Sequence, residues 1–245
     1  ITKLSDYHFP ATKLSKKRII SMGENPKTVF DVGCPSIDLL LKYDLSKKSI
    51  KKIKFTGTGH KINFELPYIV ILQHPVTTSF GEGFNQINET LNAVKKFDNV
   101  QKIILWPNID AGNDDISKGI RVFRENYSNK KFSFIRNFSP EDYAAVINNS
   151  LCCIGNSSSF IRECSYLGVP SVIVGDRQIG REHAKNAIFV DYSSKKISDA
   201  IRKQIKKARY DKSKLYGDGK ASLKIVKILE KIHITHKKNN QYFHV

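Results

Sequence analysis

Ser150-Leu151-Cys152-Cys153-Ile154-Gly155-Asn156-Ser157-Ser158-Ser159-Phe160-Ile161-Arg162-Glu163 changes character in one step. Its first five residues are apolar and bounded, which reads as a short buried strand. Gly155 and Asn156 break it, three hydroxyls follow, and a helical pattern opens at Ser158 or Ser159. The predicted order is strand, tight turn, helix N-terminus. The first N–H groups of a helix have no internal partner, and the dipole there is positive. A diphosphate fits that end. Gly155 permits close backbone approach, and Ser157 and Ser158 add donors. Glu163 lies one turn deeper, where a carboxylate can take two ribose hydroxyls. The same serines also read as an ordinary helix N-cap.

Outward from this stretch the same grammar repeats. Ser171-Val172-Ile173-Val174 is a second strand, and Gly175-Asp176-Arg177-Gln178-Ile179-Gly180-Arg181 is a polar, glycine-flanked turn after it. In open parallel sheets ligands sit beyond the carboxyl ends of strands. Arg177 or Arg181 is placed to neutralise what Ser157 and Ser158 hold. Further strands are expected at Tyr68–Leu72, Lys102–Trp106, Phe132–Arg136 and Ala187–Val190. Helices are expected at Ser15–Met22, Ser36–Tyr43, Phe84–Lys96, Ile116–Glu125, Pro140–Asn148, Phe160–Leu167, Ser198–Ala208 and Ala221–His233. Asp6–Thr12 and Thr28–Val32 read as short strands, and the lysine-rich Leu45–His60 as a linker with a weak helix. Such alternation predicts an α/β protein with a mostly parallel sheet and helices on both faces.

Composition narrows the classes. The chain has 245 residues and 40% hydrophobic content, enough for a globular core. No apolar run reaches the roughly 18 residues a membrane helix needs, and nothing resembles a signal peptide. Cys34, Cys152, Cys153 and Cys164 show no metal-binding spacing, and buried free thiols in a reducing cytoplasm are expected. The formal net charge of +18 raises nucleic acid or an acidic membrane as partners. The lysines are dispersed, however, and no helix-turn-helix, zinc-finger or ribonucleoprotein signature occurs. A solvated basic surface is the reading adopted, and a basic nucleic-acid-binding module remains as an alternative resting on charge alone.

Gly-Asn-Ser-Ser-Ser-x-Ile-Arg-Glu followed by Gly-Asp-Arg-Gln-x-Gly-Arg resembles the UDP-N-acetylglucosamine 2-epimerase family. Gln73-His74-Pro75-Val76-Thr77-Thr78 resembles the histidine loop of its hydrolysing branch, where the non-hydrolysing branch carries His-Arg-Arg-Glu-Asn. Trp106-Pro107-Asn108-Ile109-Asp110-Ala111-Gly112, Met22-Gly23-Glu24-Asn25-Pro26, Val32-Gly33-Cys34-Pro35-Ser36-Ile37-Asp38 and Tyr216-Gly217-Asp218-Gly219 resemble further family segments, in family order. The resemblance implies two Rossmann-like domains facing across a cleft, the GT-B arrangement. Residues 1–45 then correspond to a remnant of the first domain with its linker, 46–235 to the UDP-binding second domain, and 236–245 to a polar tail. It also implies that the first domain, with the carboxylates that move the proton at sugar C2, lies outside this chain, which alone is then inactive.

The resemblance assigns UDP contacts to His74, Asn108, Phe138, Ser157, Ser158, Glu163 and Arg177. His74 is also the candidate catalytic group: protonated, it would stabilise charge as the C1–O bond breaks. Asn108 is otherwise a turn residue, Phe138 otherwise core, and Asp110 reads as a turn-former. Arg136-Asn137-Phe138 would hold the uracil through backbone hydrogen bonds. Lys118 and Arg121 read as a solvated helix face. The implied reaction converts UDP-N-acetylglucosamine, or a related UDP-2-acetamido sugar, to UDP and the free 2-epimer, feeding sialic-acid-like sugar synthesis. It needs no metal or nicotinamide, and a homo-oligomer, dimer or tetramer, is implied. A non-hydrolysing epimerase and a GT-B glycosyltransferase are the alternatives.

Overall fold

In the computed structural model, which describes residues 1–127 and 131–232, the apolar runs form one seven-stranded sheet. Its strands are β1 (Thr58–Gly59), β2 (Tyr68–Leu72), β3 (Gln101–Leu105), β4 (Phe132–Ile135), β5 (Cys153–Gly155), β6 (Ser171–Val174) and β7 (Ala187–Val190). The order is β1-β4-β3-β2-β5-β6-β7. All pairings are parallel except β1 with β4. A parallel sheet covered on both faces has strands that read as unbroken apolar runs, which is why the buried β2 and β6 fall at their expected bounds; β7, a half-buried edge strand, matches its expected bounds as well.

The helices around the sheet are α3 (Lys47–Ile50), α4 (Gly83–Val94), α5 (Asn113–Tyr127), α6 (Pro140–Asn149), α7 (Glu163–Leu167) and α8 (Ser194–Lys207). Alternate strand residues point to opposite faces. Ile69, Ile71, Phe132, Phe134, Ile154, Val172 and Val174 share a core with Ile87 and Leu91 of α4, Ile116 and Ile120 of α5, and Ile197 and Ile201 of α8. On the other face the Tyr68 hydroxyl donates to the Val146 carbonyl of α6 at 2.8 Å. Fold class is therefore as expected: α/β, mostly parallel, helices on both faces. All four cysteines are free and buried.

The chain divides into two compact units. One is Tyr43–Ser213, with the sheet and the helices just described; the other combines Ile1–Lys42 with the described residues from Lys214 on. In the second unit, α1 is Lys13–Ser21, α2 Pro35–Leu40 and α9 Ala221–Leu229. The Asp38 carboxylate of α2 accepts from the backbone N–H groups of Ala221 and Ser222 at 3.0 and 2.7 Å. These would otherwise be orphan donors of α9's first turn. This contact places α9 with the N-terminal residues, whereas the sequence reading assigned it to the 46–235 domain. The strands expected at 6–12 and 28–32 reduce to a single bridge, His8 to Val29. The last helix stops at Leu229, and the tail from 236 lies outside the described residues.

Candidate functional site

The sheet order reverses between β2 and β5, and a cavity of about 350 Å³ opens at the carboxyl ends of the strands there. Leu72 ends β2 and Leu105 ends β3; both line it. Asn108 follows β3, Arg136 and Asn137 follow β4, Ser157–Ser159 follow β5, and Arg177 follows β6. A second hollow of about 400 Å³ shares Trp106, Asn108, Arg136 and Asn137 with it. Six of the seven predicted contacts thus line one cavity: His74, Asn108, Ser157, Ser158, Glu163 and Arg177. Phe138 is half-buried and does not line it, and its N–H donates to Asn137 Oδ1 at 2.9 Å. Arg181 does not line it either, while Asp110, the expected turn-former, also sits 3.9 Å from Arg177.

The turn after β5 explains its glycine. Gly155 has φ +133°, and a Cβ there would fall 2.0 Å from the Leu72 carbonyl oxygen. The backbone of β5 can therefore approach β2 this closely only without a side chain. The serine segment beyond it departs from the expected long helix. Ser158–Phe160 is a 3-10 turn, and α7 starts at Glu163 and is five residues long. Three consecutive hydroxyls compete with the backbone for N–H groups, which disfavours a regular helix start. Ser157 Oγ accepts from the Ser159 N–H at 3.4 Å and lies 2.9 Å from Ser159 Oγ, which is 2.6 Å from the Tyr143 hydroxyl. An anion here meets hydroxyls and arginines, not the end of a long helix dipole.

Asn156, fully buried, organises the site. Its Oδ1 accepts from the His74 N–H at 2.6 Å, and its Nδ2 donates to the His74 carbonyl at 2.8 Å. Its own carbonyl accepts from Arg177 at 3.2 Å and from Gln178 at 2.8 Å. Gln73, next to His74, accepts at 2.6 Å from Thr90 of α4. The histidine loop is thereby held on two sides.

His74 Nδ1 accepts from the Asn108 N–H at 3.1 Å. That bond selects the tautomer with its proton on Nε2. Burial and the Arg177 cation lower the His74 pKa to about 4, against a smaller opposing effect of Asp110. A value that low leaves the imidazole neutral at physiological pH in the free protein, so the protonated form considered from the sequence would have to arise with an anion bound. Its Nε2–H is left as the ring's donor, and the Arg177 cation lies close enough to act on it electrostatically. Glu163 faces Arg162 at 3.5 Å through Oε1, while Oε2 is buried with no hydrogen-bond partner among the described residues. An unpaired buried carboxylate oxygen is costly, and a ligand hydroxyl would relieve it. Among the described residues no cluster suits a metal ion.

Tyr143 and Arg162 were missed. Tyr143 sits in an amphipathic helix where aromatic spacing reads as core, and Arg162 follows the serines as if on a helix surface. Asn156 was read only as a strand breaker, because its partner His74 lies 82 residues away and leaves no local signal.

A sequence model of the UDP-N-acetylglucosamine 2-epimerase family matches residues 1–230. The chain belongs to that family. It is 32% identical over 232 residues to the UDP-N,N'-diacetylbacillosamine 2-epimerase (hydrolyzing) of Legionella pneumophila, covering 95% of this chain and 59% of the relative. It is 34% identical over 202 residues to the polysialic acid biosynthesis protein P7 of Escherichia coli, covering 82% and 49%. The chain thus spans about half to three-fifths of these relatives. It superposes with TM-score 0.73 on the Neisseria meningitidis UDP-GlcNAc 2-epimerase bound to UDP-GlcNAc, at 20% identity over 94% of this chain and 63% of that one. The Methanocaldococcus jannaschii UDP-GlcNAc 2-epimerase in complex with UDP-GlcNAc and UDP gives 0.70, at 18% identity over 92% and 61%. At these identities the superpositions bear on fold alone. They agree with a Rossmann-like second domain of a GT-B arrangement. The cavity of this epimerase-family chain lies at the reversal of strand order, where open parallel sheets bind their ligands.

Proposed function

We propose that this chain is the UDP-binding part of a hydrolysing 2-epimerase acting on UDP-N-acetylglucosamine or a related UDP-2-acetamido sugar. The observation that carries the reading is the convergence, in one strand-end cavity, of the His74 Nε2–H donor, Arg177, the serine hydroxyls and the unsatisfied Glu163 carboxylate. The diphosphate is assigned to Ser157, Ser158 and Arg177, the ribose to Glu163, and the uracil to the loop after β4 with Asn108 nearby. Phe138 has a weaker claim, since it stands outside the cavity lining. The histidine loop and the relative named as hydrolysing favour that branch.

In the proposed reaction a base removes the C2 proton and the C1–O bond breaks, its electron pair leaving on the β-phosphate oxygen. His74 Nε2–H and Arg177 stabilise that developing charge, an interaction strongest in the transition state. Water then adds across the glycal, hydroxyl to C1 and a proton to the opposite face of C2. Among the described residues Glu163 is the one carboxylate lining the cavity, and its role at the ribose leaves none for C2. The chain alone is therefore expected to bind UDP without turnover. A cytoplasmic homo-oligomer supplying sugars for surface polysaccharide follows from the same reading.

The test has two arms. Calorimetry with UDP should show binding that Arg177→Ala and Glu163→Ala weaken by about tenfold or more each, since a charge-assisted hydrogen bond contributes roughly 1.5–3 kcal/mol. Unchanged affinity in the double variant sinks the site. Proton NMR with UDP-GlcNAc in D2O should show deuterium at C2 of a free sugar once a family N-terminal domain is joined to the chain. A product that stays UDP-linked would assign the non-hydrolysing branch instead.

A further inference from the structure

We propose that a second, lysine-lined hollow binds a small polyphosphate-bearing ligand at the other end of the sheet. Between Lys47 and Lys61 the chain places six lysines and no Asp or Glu. Two segments of this stretch and its continuation, 51–55 and 61–65, face each other across a cavity of about 780 Å³. That volume lies within the range of small-molecule sites.

Both walls are anchored. On one side Ile50 of α3 is 1% exposed, and the Leu45 carbonyl before it accepts from Asn148 and Asn149 of α6 at 3.0 and 2.9 Å. On the other, Asn63 exchanges hydrogen bonds with the Gln101 side chain at 2.8 Å in each direction. Phe64 packs edge-on to Tyr68 with centroids 5.7 Å apart. Between the walls, β1 joins the sheet edge beside β4. The lysines thus project from a fixed frame rather than from a loose loop.

The charge in the hollow is unbalanced. Lys51 pairs with Glu65 at 2.5 Å, an exposed pair worth little. Lys52, Lys54 and Lys61 have no carboxylate within ion-pair distance among the described residues. Phe55 and Phe64 line the same space, half-buried. A cluster of like charges held together repels itself, and a multivalent anion relieves that repulsion. A membrane plane cannot enter a concavity, and a nucleic acid would need a basic stripe, where this cluster is confined to one hollow. A compact anion of three or more charges suits it best. The site is independent of the UDP cavity, because residues 61–67 precede β2 while Leu72 at its far end lines that cavity. The five residues of β2 separate them by roughly 17 Å.

The experiment titrates inorganic tripolyphosphate, and separately ATP, into the chain held in saturating UDP at 150 mM salt. Saturable one-to-one binding is expected for both, each competing with the other and neither displacing UDP. Lys52→Gln/Lys54→Gln/Lys61→Gln should weaken it about 10- to 100-fold, as three exposed charge contacts each contribute roughly a factor of two to five. UDP affinity should be unchanged in that variant. The Lys→Arg triple variant should retain binding. Displacement of UDP, binding that never saturates, equal affinity in the Gln triple variant, or tighter capture of a single-stranded oligonucleotide than of ATP would each overturn the proposal.

Discussion

Replacing Lys102 by methionine should stabilise the protein. Lys102 lies in β3, paired with Ile69 on one side and Phe132 on the other, and is fully buried. Its Nζ has no hydrogen-bond partner among the described residues and sits 4.7 Å over the Phe132 ring. Burial lowers its pKa to about 8, with Asp98 opposing and Lys131 adding to the shift. Holding an ammonium that far below its ordinary value of 10.5 costs about 3 kcal/mol in the charged state. The cation–π contact returns about 1 kcal/mol of what a neutral side chain would lose. Lys102→Met keeps the apolar stem and removes the buried charge, so the net gain is about 2 kcal/mol at pH 7. For a chain of this size that raises Tm by roughly 4–8 °C. The pH dependence carries the sharper signature. Between about pH 8 and 10.5 the folded lysine has lost its proton while the unfolded one keeps it, so wild-type stability rises with pH across that window. The penalty is fully present below pH 8 and gone above 10.5, and the variant lacks this slope. Urea melts at pH 7, 8, 9 and 10 measure both effects. A variant less stable than wild type at pH 7, or two parallel pH curves, would refute the argument.

Gly155→Ala should cost several kcal/mol or prevent folding, because its Cβ would meet the Leu72 carbonyl and its φ is one that L residues avoid; a urea melt reads this. Nitrogen-15 NMR should find His74 with its proton on Nε2 and a midpoint near pH 4 in the free protein, rising when UDP binds because an anion favours the charged form. Since that folded value lies below the unfolded one, His74 also lowers stability as pH falls from about 6.5 to 4, a loss that His74→Gln should remove. Glu163→Gln should weaken UDP about tenfold but leave 2',3'-dideoxy-UDP nearly unaffected, since a carboxylate without ribose hydroxyls to accept has little to lose; equal losses for both ligands would remove Glu163 from the ribose.

The sheet was legible wherever burial on both faces left an unbroken apolar run, as at Tyr68–Leu72 and Ser171–Val174. It was illegible at β1, two residues in a Thr-Gly-Thr-Gly context whose strand character comes only from pairing with β4. The helix expected from Phe160 split into a 3-10 turn and a short α7, because the side chains of Ser157, Ser159 and Tyr143 bond one another. In the cavity, Ser157 and Arg177 were legible from their places just after β5 and β6, whereas His74 and Asn108 were singled out only by the family resemblance. The protonation of His74 could not be read, since it depends on burial and on Arg177, 103 positions on. Asn156 shows the same limit: a buried carboxamide bridging two distant loops has no periodicity.

The strand order carries a consequence for synthesis on the ribosome. β2 is made before its neighbours on either side, then β3 and β4 extend the sheet in one direction only. The partner for the other edge of β2 is β5, about eighty residues later in the chain. At roughly 5–20 residues per second that interval lasts on the order of 4 to 16 seconds. During it the nascent chain carries a half-sheet whose open edge is an apolar central strand, a template for unwanted pairing. Closing that edge also brings in the serine wall of the cavity, since Gly155, Asn156 and Ser157 arrive with β5, and Arg177 follows with β6. A nascent chain halted before Cys153 should need a chaperone; one released past Lys207, with α8 in place over the core, should not.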